Sequence, residues 1–504
     1  MKYDCRQHKI NYVCLFFQKR QLLMLSSKLI TLLKTFTKDE LKSLGDYVQS
    51  PFFNKREAPI SLYKVLLPLY PDFEALKWEK VFKKSFPEKM EYSESYLRNV
   101  LSDLYQLAEA FLGQQLIQFY DAPLFIGHTV SYLLEKRLYK SAEDNLNRMS
   151  EALSRDDRTF HDYSGTNIYY HLLKMRCHDR QEQRQEFSQT QQLLANALVQ
   201  QCTYRLLRRY YEMSNDKEVF YQYDFEFDFF ERFTAMLQHN DIDSAPDLAI
   251  AYYKLQLQTQ KTWPVWQALY DYLQQHKSDI TDEYIHVTNL ALINFIAHQK
   301  RLQSKLTNEI LIAELGLYEE TIAIRLRNNF HVTGFLFTNI VSLGASLKGN
   351  TWARQFMSTH SQYLPPNLRS GLEAYSAALL FFSEGNYIET IAILANIEPF
   401  YSDYYFLVKS LTLMAYYELD NYDVFMATLD TLKKTIANHP ELAQKAQISY
   451  TNTNTILLKL YRLRLKRNPK TAKEIQQLLE SPDLPVYSKQ WAVQKLAELN
   501  IQDT

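Results

Sequence analysis

The sequence predicts an all-α protein, in which an N-terminal helical domain is followed by an α-solenoid, a stack of helix pairs. The chain has only 10 glycines and 15 prolines in 504 residues, whereas sheet-rich proteins need turn residues about every 8–12 positions. Apolar residues recur with helical spacing along most of the chain. Three similar turns also lie at a fixed interval, which is the mark of repeated helix–turn–helix units.

The repeated turns each lie between two apolar-periodic segments and precede an aromatic residue. They are Lys348-Gly349-Asn350, Glu384-Gly385-Asn386 and Leu419-Asp420-Asn421. The aromatic residues Trp352, Tyr387 and Tyr422 are 35 positions apart, close to the period of about 34 residues found in tetratricopeptide repeats. Residues 331–440 therefore resemble tetratricopeptide-like repeats, which implies protein or peptide binding on the concave face of a right-handed superhelix.

The resemblance covers the period and the turns but departs from the family at positions inside the helices. Thr390 and Phe425 stand where the second helix of a pair usually has a small residue, and Leu413 stands where the first helix has one. The fold class therefore carries over, whereas the detailed superhelix geometry and any binding residue do not.

Charge and cysteine content narrow the classes of function. Lys plus Arg and Asp plus Glu both number 57, which disfavours a general nucleic-acid binder or a polybasic membrane adsorber. The four cysteines, Cys5, Cys14, Cys177 and Cys202, contain no C-x-x-C pair. We therefore expect neither a disulfide framework nor a zinc site, and a cytoplasmic location.

Two apolar segments have features of membrane or targeting segments. The run within residues 1–23 is too short to span a bilayer and precedes no small-residue cleavage site. We interpret 1–23 as a disordered tail or a mis-assigned start and expect the protein to open at Met24. The uncharged run 328–347 contains several polar residues, so we predict a buried repeat helix there and no membrane association.

Residues 24–115 are predicted to form the N-terminal helical domain. Thr37 and Glu40 have the spacing of a capping box, and Pro51 ends the helix that this box opens. The whole chain also resembles an uncharacterised bacterial family through two segments, and this resemblance implies no activity. The segments are Ser50-Pro51-Phe52-Phe53-Asn54-Lys55 and Leu97-Arg98-Asn99-Val100-Leu101-Ser102-Asp103-Leu104.

A DNA-binding regulator is the alternative for this domain. The segments 81–87 and 96–104 are similar to the winged-helix plus tetratricopeptide layout of some bacterial transcriptional activators. That resemblance implies DNA contacts by Lys80, Lys83, Lys84 and Arg98, with phosphates meeting the basic side chains. No β-hairpin wing is predicted after them, and acidic residues nearly balance basic ones over 28–110.

The remaining chain is predicted as irregular helical repeats over 116–330 and tetratricopeptide-like repeats over 331–504. Turns of the same type are predicted within 134–142 and at Lys261-Thr262-Trp263-Pro264. Residues 221–229 alternate aromatic and polar side chains, a strand pattern, but they also form a helical stripe, and we favour a helix over 219–230.

Three features describe the C-terminal end of the predicted repeats. Asn468-Pro469 indicates a helix start. Thr471 and Glu474 have capping-box spacing. A last helix over 486–499 is expected to cap the open end of the solenoid.

The chain contains no sequence motif that indicates catalysis. Glycine-rich phosphate loops and H-E-x-x-H are absent from the sequence, and His171 and His178 are spaced too far apart to share a metal ion on one helix. We therefore predict a non-enzymatic scaffold or adaptor for a protein or peptide, with no cofactor or metal and no evident small-molecule substrate. Four aromatic residues of the first helices of the pairs are expected to line its concave face: Tyr375, Phe382, Tyr405 and Tyr416.

Overall fold

Helices joined by short turns make up the regular structure of the protein, as seen in a computed structural model. The structure describes residues 28–73, 76–89, 91–115, 122–154, 160–220, 224–237, 245–302, 306–397, 402–438, 444–480, 484 and 486–499. These residues contain no β-strand, which confirms the all-α prediction. They also include no helix with the length and apolar character needed to cross a membrane.

The chain divides into two compact units. The first lies within 1–155 and 169–191, and the second within 156–168 and 192–504. Residues 28–34 are helical. The following α-helices run through the first unit and across its limits: α1 (Lys38–Gln49), α2 (Glu57–Leu66), α3 (Trp78–Ser85), α4 (Glu94–Gln115), α5 (Ala122–Glu135), α6 (Tyr139–Ser154), α7 (Phe160–Arg180) and α8 (Arg184–Phe220).

The second unit continues with fourteen more described α-helices. They are α9 (Asp228–Met236), α10 (Pro246–Gln260), α11 (Trp263–Gln275), α12 (Asp282–Leu302), α13 (Asn308–Arg327), α14 (Gly334–Lys348), α15 (Asn350–His360), α16 (Arg369–Ser383), α17 (Tyr387–Ala395), α18 (Ser402–Glu418), α19 (Tyr422–Asn438), α20 (Gln444–Leu465), α21 (Pro469–Leu479) and α22 (Val486–Glu498). Short 3₁₀ helices occupy Leu67–Leu69, Lys277–Asp279 and Ser361–Tyr363.

Many helices that follow one another in the chain pack against each other. The extensively packed pairs include α5 with α6, α14 with α15 and α16 with α17. The three predicted aromatic residues lie at or near the starts of second helices, since α15 begins at Asn350, α17 at Tyr387 and α19 at Tyr422. A Cβ on Gly344 would lie 1.9 Å from the Trp352 ring, so the glycine allows this aromatic to pack closely on the preceding helix.

Five helix-ending turns share one hydrogen-bonding pattern, and three of them lie at predicted positions, whereas the predicted turns at Gly349 and Lys261 each have a single bond to the residue four earlier. In the turn after α16, Gly385 N–H donates to Phe382 O at 3.1 Å and Asn386 N–H donates to Phe381 O at 2.9 Å. This Schellman pattern needs a residue with left-handed φ. It recurs after α5, α7, α13 and α18, so that the left-handed positions are Arg137, Glu182, Asn329, Gly385 and Asp420.

Separate apolar cores hold the helices together. The first unit has one core within residues 29–111 and another within 130–177. In the second unit one core extends from Tyr204 to Tyr404 and a second from Tyr375 to Ala492. The first of these two continues past residue 330, and the division of the chain at 115 and 330 stays a prediction.

The structure corrects the helix predicted over 219–230. Helix α8 ends at Phe220, residues 224–227 are not helical, and α9 begins at Asp228, while 221–223 lie outside the described residues. The interruption lets Phe227 and Phe230 approach Tyr210, with ring centroids 5.3 and 5.1 Å apart. A continuous helix would carry Phe227 about 25 Å from Tyr210 along its axis.

The structure confirms the capping box at Thr37 and the helix start at Asn468-Pro469, but not the second capping box. Thr37 and Glu40 form the complete capping box at the start of α1. The second box is wrong, because Asn468 is the N-cap of α21 and its side chain accepts from Lys470 N–H at 3.0 Å. Proline is favoured at the first helical position, so Pro469 fixes the start three residues earlier than a Thr471 cap would, and Glu474 pairs with Lys459.

The last helix does more than cover the end of a linear array. Helix α22 has the predicted extent, but it contacts α12 as well as α20 and α21. Lys489 Nζ donates to the carbonyl of Arg301 on α12, and buried Trp491 donates to Glu418 at 2.7 Å. In a simple solenoid each repeat contacts only its neighbours, so the second unit departs from a purely linear stack here.

Candidate functional site

The four predicted partner-binding aromatic residues occupy different environments. Tyr375 and Phe382 are only 6% and 7% exposed and belong to a hydrophobic core. Tyr405 and Tyr416 are half-buried and pack against the same core. This burial favours a packing role for Tyr375 and Phe382, while the binding role of the four stays a prediction.

The residues of the DNA-binding alternative lie on two helices of the first unit. Lys80, Lys83 and Lys84 are exposed on α3. Arg98 is half-buried on α4. These positions do not test DNA binding.

The histidines and cysteine near residue 175 take part in local packing. His178 Nδ1 is 2.6 Å from Gln183 Oε1, and burial, followed by Lys174, lowers the pKa of His171. Cys177 is buried in a core of the first unit, and burial raises its thiol pKa. Within the described residues, no group of three or more His, Cys, Asp or Glu side chains has an arrangement that could hold a metal ion.

A cavity of about 340 Å³ in the second unit is the candidate site. It opens between α8, α10 and α12, and a smaller cavity of about 180 Å³ shares part of its wall. The residues common to both walls are Tyr211, Asn215, Lys254, Ala291 and Asn294. A recess of this size, lined by apolar surface and a few polar groups, is typical of small-ligand sites.

Lys254 is the distinctive residue of this cavity. It is 9% exposed, because α10 lies among other helices and buries residues on most of its faces. Its ammonium group lies 4.8 Å from the Tyr211 ring centroid and 5.7 Å from that of Tyr284. Across the described parts of the chain, no hydrogen bond or ion pair involves Lys254, whose side chain lines the cavity. The ammonium group of Lys254 therefore contacts aromatic ring faces rather than a carboxylate.

The environment of Lys254 disfavours its charged form. Burial lowers the pKa of Lys254 to about 8, and the nearby Arg208 guanidinium acts in the same direction, while Glu212 opposes them. Glu212 is engaged elsewhere, since it accepts from Arg208 Nε at 2.9 Å and from Arg209 at 2.8 Å. The Lys254 amine can consequently exist as a cation or as a neutral base close to neutral pH.

Tyrosine hydroxyls supply neutral polar groups to the same wall. Tyr284 donates to the Asp247 carbonyl at 2.8 Å. Burial raises the pKa of Tyr211 to about 12 and that of Tyr204 in the same direction. Both hydroxyls therefore stay protonated near neutral pH and contribute no negative charge to balance Lys254.

Sequence reasoning did not identify Lys254. It predicted the turn at Lys261-Thr262-Trp263-Pro264, which follows directly after α10, the helix that carries Lys254. A single lysine in a helix ordinarily extends its charge into water, so nothing in the local pattern marked this one as buried.

Comparisons of the chain with protein-family models, with curated proteins and with solved structures return no match.

Proposed function

We propose that this protein is a non-enzymatic scaffold or adaptor that binds a protein or peptide partner through tetratricopeptide-like helix pairs of the second unit. Stacked helix pairs present equivalent faces at regular intervals, and proteins built this way commonly use them as extended binding surfaces. The paired packing and the recurring Schellman turns of α13 to α19 support this proposal.

One observation carries the proposal toward a particular surface. Large apolar side chains are exposed beside two equivalent turns, which are centred on Gly385 and Asp420 and lie 35 residues apart. They are Ile388, Leu419, Tyr422 and Val424, which are 71%, 38%, 41% and 38% exposed. Exposed apolar groups that lie together mark interaction surfaces more often than isolated ones do, and we infer that these four belong to one surface.

The experiment compares three full-length proteins carrying an affinity tag in their native host. The variants are the wild type, the double variant Ile388→Ser with Tyr422→Ser, and the control Ile312→Ser, whose side chain is 61% exposed elsewhere on the unit. We expect a stoichiometric protein partner with the wild type and the control that is lost with the double variant. Equal recovery of that partner from all three would contradict the proposed surface.

A nuclease-treated sample separates this function from the DNA-binding alternative. A protein partner of the scaffold should survive nuclease treatment. Recovery dominated by nucleic acid, and reduced by Lys83→Ala with Arg98→Ala, would replace the scaffold proposal with a DNA-binding regulator.

A further inference from the structure

We propose that the cavity between α8, α10 and α12 binds a small organic anion, whose oxyanion group pairs with Lys254. This site is independent of the protein-binding surface proposed above. It is defined by a recess, by a buried cation that has aromatic contacts but no hydrogen bond or ion pair in the described structure, and by the pairing or exposure of the nearby acidic groups.

The charge of Lys254 has no carboxylate or backbone oxygen as a partner among the described residues. A buried ammonium group is normally paired with a carboxylate or hydrogen-bonded to backbone oxygens. Another lysine of the same unit follows this rule, since Lys489 donates to a backbone carbonyl. Lys254 instead extends into a cavity wall between Tyr211 and Tyr284.

Charged residues line both cavities. Arg208 and Lys254 line the larger cavity, and Lys261 and Arg301 line the smaller one. The acidic residues of the larger wall are Glu212, held by two arginines, and Glu283, which is exposed. Because Arg208 is paired with Glu212, Lys254 is the buried charge of the larger wall that has no ion pair among the described residues, and it favours an anion.

Apolar and aromatic side chains are available to contact the uncharged part of the ligand. Val287 and Leu290 line the larger cavity together with Tyr204, Tyr211 and Tyr284. These apolar and aromatic surfaces suit a flat or hydrophobic body, while Asn215 and Asn294 offer amide groups at the shared wall. A volume of about 340 Å³ admits a small molecule, and benzoate has the required combination of an oxyanion and an aromatic ring.

The test is calorimetric titration of the full chain with benzoate, with its neutral isostere benzamide and with an acetylated tripeptide that has a free C-terminal carboxylate. The proteins are the wild type, Lys254→Met and the control Lys348→Met, whose lysine lies at the surface with Glu319. We expect millimolar or tighter benzoate binding that weakens about 10- to 100-fold in Lys254→Met, as for loss of a charge-assisted hydrogen bond. Lys348→Met should bind like the wild type.

Several results would overturn the proposal. If neither benzoate nor the peptide binds saturably to the wild type, the cavity is not the proposed anion site. Equal binding of benzoate and benzamide, or equal benzoate binding by wild type and Lys254→Met, would show that Lys254 does not recognise the anion. Binding of the peptide alone would assign the cavity to the protein partner instead of a small molecule. Lys254→Arg, which keeps the charge, should retain part of the affinity if the proposal holds.

None of these outcomes depends on recovery of a protein partner, and the capture experiment above does not depend on benzoate. Failure of one proposal therefore leaves the other intact.

Discussion

Lys254 and Lys300 are two lysines of the second unit whose positive charges meet different surroundings. Lys300 on α12 pairs with Glu314 of α13, and their side chains are 14% and 3% exposed. Lys254 on α10 faces tyrosine rings and has no carboxylate within ion-pair distance among the described residues. The protein therefore neutralises one buried charge internally and leaves the other for an anion from outside.

At the pair of Lys300 with Glu314, burial disfavours the charged carboxylate even though a cation is present. Burial raises the pKa of Glu314, and the Lys300 ammonium only partly offsets this effect. Each charge at this pair is thus maintained by the other, because taking either one out of water alone is strongly unfavourable. Lys254 lacks that support, so removing a charge should have opposite effects on stability at the two sites.

The largest expected effect is at the paired site. Glu314→Ala should destabilise the packing of α12 against α13 by about 3–5 kcal/mol, because it leaves Lys300 without its partner in a mostly buried position. Hydrogen exchange of peptides covering both helices measures this change directly. The matched control is Glu319→Ala, whose pair with Lys348 is 44% and 42% exposed and should contribute at most about 1 kcal/mol. Similar losses in both variants would remove the distinction between buried and exposed pairs.

At Lys254, removal of the charge should stabilise the protein rather than destabilise it. Lys254→Met keeps much of the side-chain volume and removes the buried charge, so we expect it to stabilise α10 by on the order of 2–3 kcal/mol at pH 7. Hydrogen exchange of the peptides covering α10 provides the measurement. Lys300→Met serves as the counterpart and should destabilise, because Glu314 then loses its cation. Loss of stability in Lys254→Met would mean that Lys254 has a protein partner in solution.

These two lysines also show where sequence reasoning succeeds and where it stops. Turn residues such as Gly385 and Asp420 were predictable, because a left-handed position is specified by a few neighbouring residues. The burial of Lys254 depends on α8 and α12, since Tyr211 precedes it by 43 residues and Tyr284 follows it by 30. Sequence patterning thus gave the all-α class and many helix boundaries, whereas the cavity follows from packing between distant segments.

The same reason explains the interrupted helix near residue 225. Its alternating pattern allowed both a strand and a helix, and the contacts of Phe227 and Phe230 with Tyr210 decided the outcome. Long-range contact also explains α22, since its packing on α12 could not be inferred from a repeat pattern that relates only neighbouring pairs.

A smaller effect should appear in the pH dependence of stability. The pKa of Lys254 is lowered in the folded protein from 10.5 to about 8, so the unfolded chain binds more protons between these values. The contribution of Lys254 to the free energy of unfolding therefore increases with pH between about 8 and 10.5, and it stays near its lowest value below pH 8. From pH 7 to pH 9 we expect a gain of about 1 kcal/mol in the wild type relative to Lys254→Met.

The comparison with Lys254→Met isolates this titration from the other groups that face the amine. Arg208 and Glu212 on α8, the tyrosines Tyr204, Tyr211 and Tyr284, and Glu283 on α12 are present in both proteins. Hydrogen exchange of the α10 peptides, corrected for the intrinsic pH dependence of exchange, gives the difference. A difference that stays constant from pH 7 to pH 9 would place the titration of Lys254 outside this range.

The smallest expected effect concerns the aromatic partner that stands in place of a carboxylate. A cation over an aromatic face contributes about 0.5–2 kcal/mol, depending on how far it is desolvated. In a double-mutant cycle, Tyr211→Leu should destabilise the wild type by about 0.5–1 kcal/mol more than it destabilises Lys254→Met. The control Tyr270→Leu removes a ring that stacks on Trp266 and should show no coupling to Lys254. A coupling energy near zero for Tyr211 would mean that the ring only fills space beside the amine. The contrast with Lys300 would then be between a paired charge and one without any internal compensation, which increases the demand for an external anion.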